Sequence, residues 1–254
     1  MESDAAAAQR ALEVVFSRLY GLLDGARFER RGDLFLALYP PSPIPQCNGP
    51  WVVEDTPEAA EALAEAIAEV EATGARPWVQ TRSGHERTQR AAADLGLTQR
   101  ETLPGMVLRP DDLVAASTAE RAVRLVSADE IAAATAVLSL SFGMPTEILE
   151  PYLGACARLD EASWYVVWVG DEIAATSLGI TIDGVTGVFN VATAPEHRGQ
   201  GLGAAVTARA ARDGFAQRAA LAYLQSSAMG HSVYRSLGFR DVEEYVLLTR
   251  PAPA

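Results

Sequence analysis

The stretch Arg198-Gly199-Gln200-Gly201-Leu202-Gly203-Ala204 sets a guanidinium and three glycines where the apolar run VTGVFNVAT gives way to an alanine-rich, helix-forming segment. Glycine is among the poorest helix formers, so this crowding at a helix entrance asks for a reason. The first four N–H groups of a helix have no partner inside it, and the helix dipole adds positive potential there. Together they attract an anion, most readily a phosphate. Glycines let that anion approach the backbone and permit the left-handed dihedrals that turn successive N–H groups to one side. Arg198 adds a fixed charge at the mouth. Charge-assisted hydrogen bonds contribute roughly 1.5–3 kcal/mol each, so a few of them hold a pyrophosphate against competing water. A plain tight turn is the alternative.

Two well-known phosphate loops do not fit. A Walker loop needs Gly-Lys-Ser/Thr after its glycines, and all 21 basic residues of this chain are arginine. A dinucleotide fingerprint matches Gly199-x-Gly201-x-x-Ala204 in spacing but not in context. Pro195, Glu196, His197 and Arg198 separate strand from glycines, and the next strand ends at Ser226-Ser227 without an acid to hold a ribose. The third reading is a resemblance. Arg198-x-x-Gly201-x-Gly203 behind an apolar strand, with Tyr234-Arg235-Ser236-Leu237-Gly238-Phe239 later in the chain, resembles the signature of the GNAT superfamily of acyl-CoA N-acetyltransferases. The order of elements over about residues 120 to 250 is similar to that family as well.

That resemblance carries expectations for each part of a reaction. It implies acetyl-CoA as co-substrate, with its pyrophosphate on the amides from Arg198 to Ala204. The pantetheine arm would lie in a gap opened beside Val191, Ala192 and Thr193, pairing there as an added strand would. An amide near Val191 would polarise the thioester carbonyl. Tyr234 stands where the family often keeps the general acid that protonates the leaving thiolate; a tyrosine merely packed on the final strand is the alternative. Ser227, beside Ser226, replaces the asparagine many members carry, and serine reaches less far. The strand VTGVFNVAT holds no acid, so the base is left open among a water chain, Glu147, Glu150 and Asp183. His197 reads as a solvated loop residue. For the acceptor, a primary amine of a small molecule or peptide, the resemblance points to Phe142, Met144 and Tyr152. Trp164 and Trp168, four apart on one strand, read as core residues on one face. An acyl-CoA-binding sensor without turnover is the competing function.

The elements that must hold these residues come in two similar sets. An opening helix runs from about residue 4 to 23, followed by strands joined at Gly32-Asp33, a strand WVVED, a helix from Pro57 to about Glu71, a strand PWVQT, a helix HERTQRAAADLGL and a strand GMVLRP. The second set runs from the strand at 122–126 through a helix capped near Ser127 and a further short helix after Pro145. Strands SWYVVWV, IAATSLGITI and VTGVFNVAT follow, then the glycine-led helix, LAYLQSS, GHSVYRSLGF and VEEYVLL. Both sets close alike, with Leu-Gly-apolar, an acidic patch, an apolar strand and Arg-Pro, which indicates an internal duplication. The expected domains are 1–115 and 116–254. The expected class is α/β (α+β): two GNAT-like domains, each a mixed, mostly antiparallel twisted sheet flanked by helices. The first copy puts Glu54, Asp55 and Glu58 where the second has its glycines, so it should lack the phosphate site.

Bulk properties bound the remaining choices. Of 254 residues 49% are hydrophobic, enough for a sizeable core, and no apolar run is long enough to span a bilayer. A net charge of −12 argues against nucleic acid and anionic membrane as partners. The acidic start, MESDAAAAQR, is unlike a secretory signal, so a cytoplasmic monomer or homodimer is expected. Cys47 and Cys156 match no metal or redox spacing and should be reduced core thiols. His85, His197 and His231 are scattered, and no metal is expected.

Overall fold

The computed structural model describes residues 3–116, 118–124 and 127–251. In chain order the elements are α1 (Asp4–Tyr20), β1 (Arg27–Arg31), β2 (Leu34–Leu38), β3 (Asn48–Val52), α2 (Pro57–Ala72), β4 (Trp78–Arg82), α3 (Glu86–Asp94) and β5 (Gln99–Leu108). They continue with β6 (Val123–Arg124), α4 (Ala128–Phe142), α5 (Thr146–Ala157), β7 (Ala162–Val169), β8 (Glu172–Ile182) and β9 (Val185–Thr193). The chain then forms α6 (Leu202–Ala216), β10 (Leu221–Gln225), α7 (His231–Ser236) and β11 (Arg240–Thr249). The strand expected at 122–126 is described only as Val123–Arg124; Leu125 and Val126 lie outside the described residues.

The chain forms two compact units, one of Met1–Leu19 with Gly105–Val242 and one of Tyr20–Pro104 with Glu243–Ala254. The passage around residue 115 therefore lies inside the first unit. There Leu113 and Ala116 pack against its core, and the Val114 N–H donates to the Leu237 carbonyl at 3.0 Å. Gly238 belongs to the same joint: its φ is +97°, and a Cβ would fall 2.0 Å from the Asp112 carbonyl oxygen. Only glycine meets both demands.

In the first unit the strands run β5–β10–β9–β8–β7–β6. The Gly105–Leu108 end of β5 pairs antiparallel with β10, β10 pairs parallel with β9, and the others are antiparallel. In the second unit β1–β2–β3–β4–β11 repeats the plan, with β3 and β4 parallel and the rest antiparallel. Each unit is thus closed by the last strand of the opposite half of the sequence.

The glycine-led helix α6 is seated by small side chains. Ala205, Ala208, Ala210, Ala211 and Val206 are buried against Tyr165, Val167, Ala174, Ala175, Val188, Ala222 and Leu224. The approach is close: a Cβ on Gly214 would lie 2.0 Å from Thr186 Oγ1, and one on Gly179 would lie 3.4 Å from the Ala210 Cβ. Ser177 Oγ donates to the Val206 carbonyl at 3.0 Å and pins the helix to β8. Leu202, almost fully buried, fixes where the first turn begins. The two tryptophans of β7 part company. Pairing with β8 shifts register between Val167 and Trp168, so Trp164 is buried while Trp168 is turned outward. A bulge breaks the period of two, and the expectation of a shared face fails there.

Candidate active site

Strands β9 and β10 separate partway along their length. They pair at Leu221–Val185, Ala222–Thr186 and Tyr223–Gly187. Beyond that, among the described residues, β9 runs to Thr193 and β10 to Gln225 without pairing to each other. A bulge accompanies the split. β8 pairs Thr176 with Ala192 and Leu178 with Phe189, so Asn190 and Val191 together face Ser177. At this bulge Asn190 takes a left-handed φ of +52°, a conformation asparagine tolerates better than most side chains.

Where the strands diverge, the structure holds a cavity of about 540 Å³. Its floor is the entrance of α6. Gly201 is the N-cap, with φ +74° and no side-chain cap, and Gly199 has φ +75°. The first intrahelical acceptance is Ala205 N–H to the Gly201 carbonyl at 3.0 Å, so the N–H groups of Leu202, Gly203 and Ala204 precede the ladder. Arg198 is exposed at the mouth; its Nε donates to the Thr193 carbonyl at 3.4 Å, and among the described residues no carboxylate pairs with it. Residues on both sides brace the rim. Ser141 Oγ, at the end of α4, donates to the Thr193 carbonyl at 3.2 Å, and Thr118 Oγ1 donates to the Gly201 carbonyl at 3.1 Å.

The far wall carries Tyr234. Its ring passes over Gly230, where an added Cβ would come within 2.7 Å of Cε2, and packs edge-on to Phe239 at 6.0 Å between centroids. Burial pushes its hydroxyl up to about 12, so the proton stays on oxygen at neutral pH. Ser227 Oγ accepts the Gly230 N–H at 3.2 Å at the start of this helical turn. The cavity thus brings together uncapped helix N–H groups, a guanidinium with no carboxylate partner among the described residues, a strand arm unpaired on its β10 side and a phenol that holds its proton.

Residues 160–241 match the family model described as an acetyltransferase (GNAT) domain. The matched stretch takes in the α6 entrance and Tyr234. Solved structures of similar fold include a GCN5-related N-acetyltransferase from Kribbella flavida, with TM-score 0.73 and 23% identity, covering 97% of this chain and 96% of that one. A tandem GNAT protein from the clavulanic acid biosynthesis pathway aligns with TM-score 0.62 and 14% identity over 96% of this chain and 88% of its own. A putative acetyltransferase of the GNAT family from Novosphingobium aromaticivorans gives 0.56 and 19% over 93% and 99%. No curated protein sequence matches the chain. The fold is that of two GNAT-like units in tandem.

Most residues singled out in the sequence border this cavity: Val191, Ala192, Thr193, Arg198, Gly199, Gly201, Leu202, Gly203, Ala204, Ser227, Tyr234 and Phe142. Gln200 is exposed and outside the lining, and Ser226 is fully buried with its Oγ on the Ser227 carbonyl. Met144 follows the α4 cap and binds back to Ser139, and Tyr152 hydrogen-bonds to Cys156; neither lines the cavity. Thr193 offers no free carbonyl, since Ser141 and Arg198 already donate to it. His197, expected in solvent, is half-buried and lines the cavity. Glu147, Glu150 and Asp183 are exposed and outside the lining. Sequence reasoning passed over Ser141, Met229, Gly230 and Val233, which contact the cavity from the end of α4 and around the start of α7. No group of three potential metal ligands gathers among the described residues, and both cysteines are buried free thiols.

The corresponding place in the other unit is filled by its own side chains. Thr56 Oγ1 caps α2 by accepting the Ala59 N–H at 3.1 Å, and Pro57 removes one N–H from the first turn. Asp55 accepts the Thr88 N–H at 2.8 Å and the Arg87 N–H at 3.1 Å. Burial opposes its charge, but these bonds prevail and hold the carboxyl below its usual range. Arg82 donates to the Val53 carbonyl, and Arg87 to the Asp55 carbonyl at 2.6 Å. Its strands stay close too: a Cβ on Gly49 of β3 would fall 1.9 Å from the Trp78 carbonyl oxygen of β4.

Proposed function

We propose that the C-terminal unit transfers an acetyl group from acetyl-CoA to a primary amine of a small molecule or peptide, by direct attack in a ternary complex. The observation that carries this reading is the meeting of the uncapped α6 entrance and Tyr234 in the lining of one cavity at the β9–β10 split. The residues fit the co-substrate. Arg198 and the N–H groups of Gly201, Leu202, Gly203 and Ala204 would hold the diphosphate at the end of the helix that lacks a cap. The arm of β9 from Val191 to Thr193 would hold the pantetheine through backbone groups left over where β10 has turned away. Acetyl-CoA, once bound, supplies the activated acyl carbon.

Tyr234 then acts as general acid. Its retained proton goes to the coenzyme A sulfur as the C–S bond breaks and the amine nitrogen bonds to the acyl carbon; the nitrogen sheds a proton in return. No carboxylate lines the cavity among the described residues, and His197 stands on the turn directly before Arg198, at the diphosphate end, so in this reading the amine reaches the acyl carbon already neutral. Two buried free thiols suit a reducing compartment, consistent with action in the cytoplasm.

The test joins two measurements on the intact chain: calorimetric titration with acetyl-CoA, and release of free thiol from acetyl-CoA across a panel of amines. Binding with amine-dependent thiol release is the expected result. Binding without release from any amine would identify an acyl-CoA sensor instead.

A further inference from the structure

The walls of this cavity also define the chemistry of the acceptor, an inference that rests on the transferase reading above. Val191, Ala192, Leu202 and Val233 make much of its surface apolar. At the rim stand two large apolar side chains that the fold leaves uncovered, Phe142 at 44% exposure and Met229 at 70%. They lie on different segments, the end of α4 and the approach to α7, and both border the same cavity. Scattered exposed apolar residues are ordinary, but two that share one opening mark a binding surface.

Charge points the same way. The chain carries 33 aspartates and glutamates, yet none lines this cavity among the described residues. Its titratable lining groups are His197, Arg198 and Tyr234. His197 sits on the short turn before Arg198, at the end assigned to the diphosphate, and Arg198 is committed to that group. An ammonium entering here loses water and gains no counter-charge, which disfavours the charged form. An ordinary alkylamine is neutral in only about one molecule in a thousand at pH 7. An amine that is already neutral avoids that cost and needs no protein base.

We propose that the acceptor is a weakly basic amine with an apolar body, an arylamine in the simplest case, seated between Phe142 and Met229. The nitrogen lone pair bonds to the acyl carbon as the C–S bond breaks. Sulfur takes the Tyr234 proton, and the proton shed by nitrogen restores the phenol, so one N–H becomes one S–H.

Two amines of the same formula decide the matter: 4-methylaniline and benzylamine, which differ chiefly in basicity, with spermidine as a polycationic comparison. Thiol release from acetyl-CoA is followed between pH 6 and 9 after acetyl-CoA binding has been verified by calorimetry. The expected kcat/KM at pH 7 is at least about tenfold higher for 4-methylaniline and flat with pH, whereas benzylamine gains about tenfold per pH unit. Phe142→Ser and Met229→Ser should each raise KM for 4-methylaniline about tenfold while the KM for acetyl-CoA stays put. Leu140→Ser, on an exposed side chain outside the lining, should change neither. A preference for benzylamine or spermidine, a limb near pH 6.5 with 4-methylaniline, or unchanged KM in both rim variants overturns the inference and leaves acetyl transfer standing. Acetyl-CoA binding without thiol release from any amine overturns both.

Discussion

Tyr234 is the residue on which the chemical step turns, and its surroundings say how it should behave. The phenol lies on a six-residue helix and keeps its proton because burial penalises the phenolate, pushing it up to about 12. A raised value in an acid means the protonated form persists upward through the normal tyrosine range. The rate should therefore show no falling limb from Tyr234 below about pH 11. Removing the hydroxyl is a sharper test, since Phe retains the ring and its contact with Phe239. For Tyr234→Phe, turnover measured by thiol release should drop by about 10²-fold or more, while acetyl-CoA affinity by calorimetry stays within about threefold. Unchanged turnover would return Tyr234 to a packing role.

Helix α6 and its counterpart α2 show how one element can be made to bind or to refuse an anion. Both follow a strand in a parallel pair, but α2 begins with a threonine cap and a proline, whereas α6 begins with a left-handed glycine and no cap. Gly201→Asp separates fold from binding. Aspartate tolerates the left-handed conformation and favours a helix N-terminus, so the helix should persist, with circular dichroism within error of the parent. Its carboxylate would occupy the N–H groups and repel the diphosphate, so acetyl-CoA affinity should fall at least about a hundredfold, the loss of one or two charge-assisted bonds. Undiminished affinity would remove the α6 entrance from the site. Much of this element was legible in the sequence, because glycine spacing, Arg198 and strand-to-helix order are local signals. The bulge at Asn190, the turning of Trp168 and the seat of His197 were not. The first two depend on where the register slips within the β7–β8 and β8–β9 hairpins, which a period of two along one strand does not encode, and the third on how the short turn Pro195–His197 is set against the cavity. The only local hint was Asn190 itself, a residue that accepts positive φ. Ser141 and Met229 were missed for a related reason: a serine on a helix and a methionine in a turn carry no signal until the fold brings them to one opening.

At the scale of the molecule, the duplication visible in the sequence and the units visible in the structure do not share boundaries. The repeats divide near residue 115, but β11, from the end of the second repeat, pairs with β4 over Tyr245–Thr249, and the end of β5 from the first pairs with β10 over Gly105–Leu108. Repetition could not reveal this, because both closing strands have nearly the same pattern and either fits either sheet by periodicity. The consequence is physical. A chain of residues 1–115 keeps β4 without the strand that completes it, and a chain of 116–254 keeps β10 with a bare edge of hydrogen-bonding groups. Val246 and Leu248 of β11 are buried in the core of the unit that holds β4, so their loss also opens that core. Each half made alone should be insoluble or lack the sharp thermal transition of the intact chain. Co-expression of the two should restore a soluble pair that binds acetyl-CoA. A fusion of residues 20–104 to 243–254 should instead melt cooperatively, since it contains one unit complete. Separately soluble halves cut at 115, each melting cooperatively, would show that the exchanged strands contribute little to either fold.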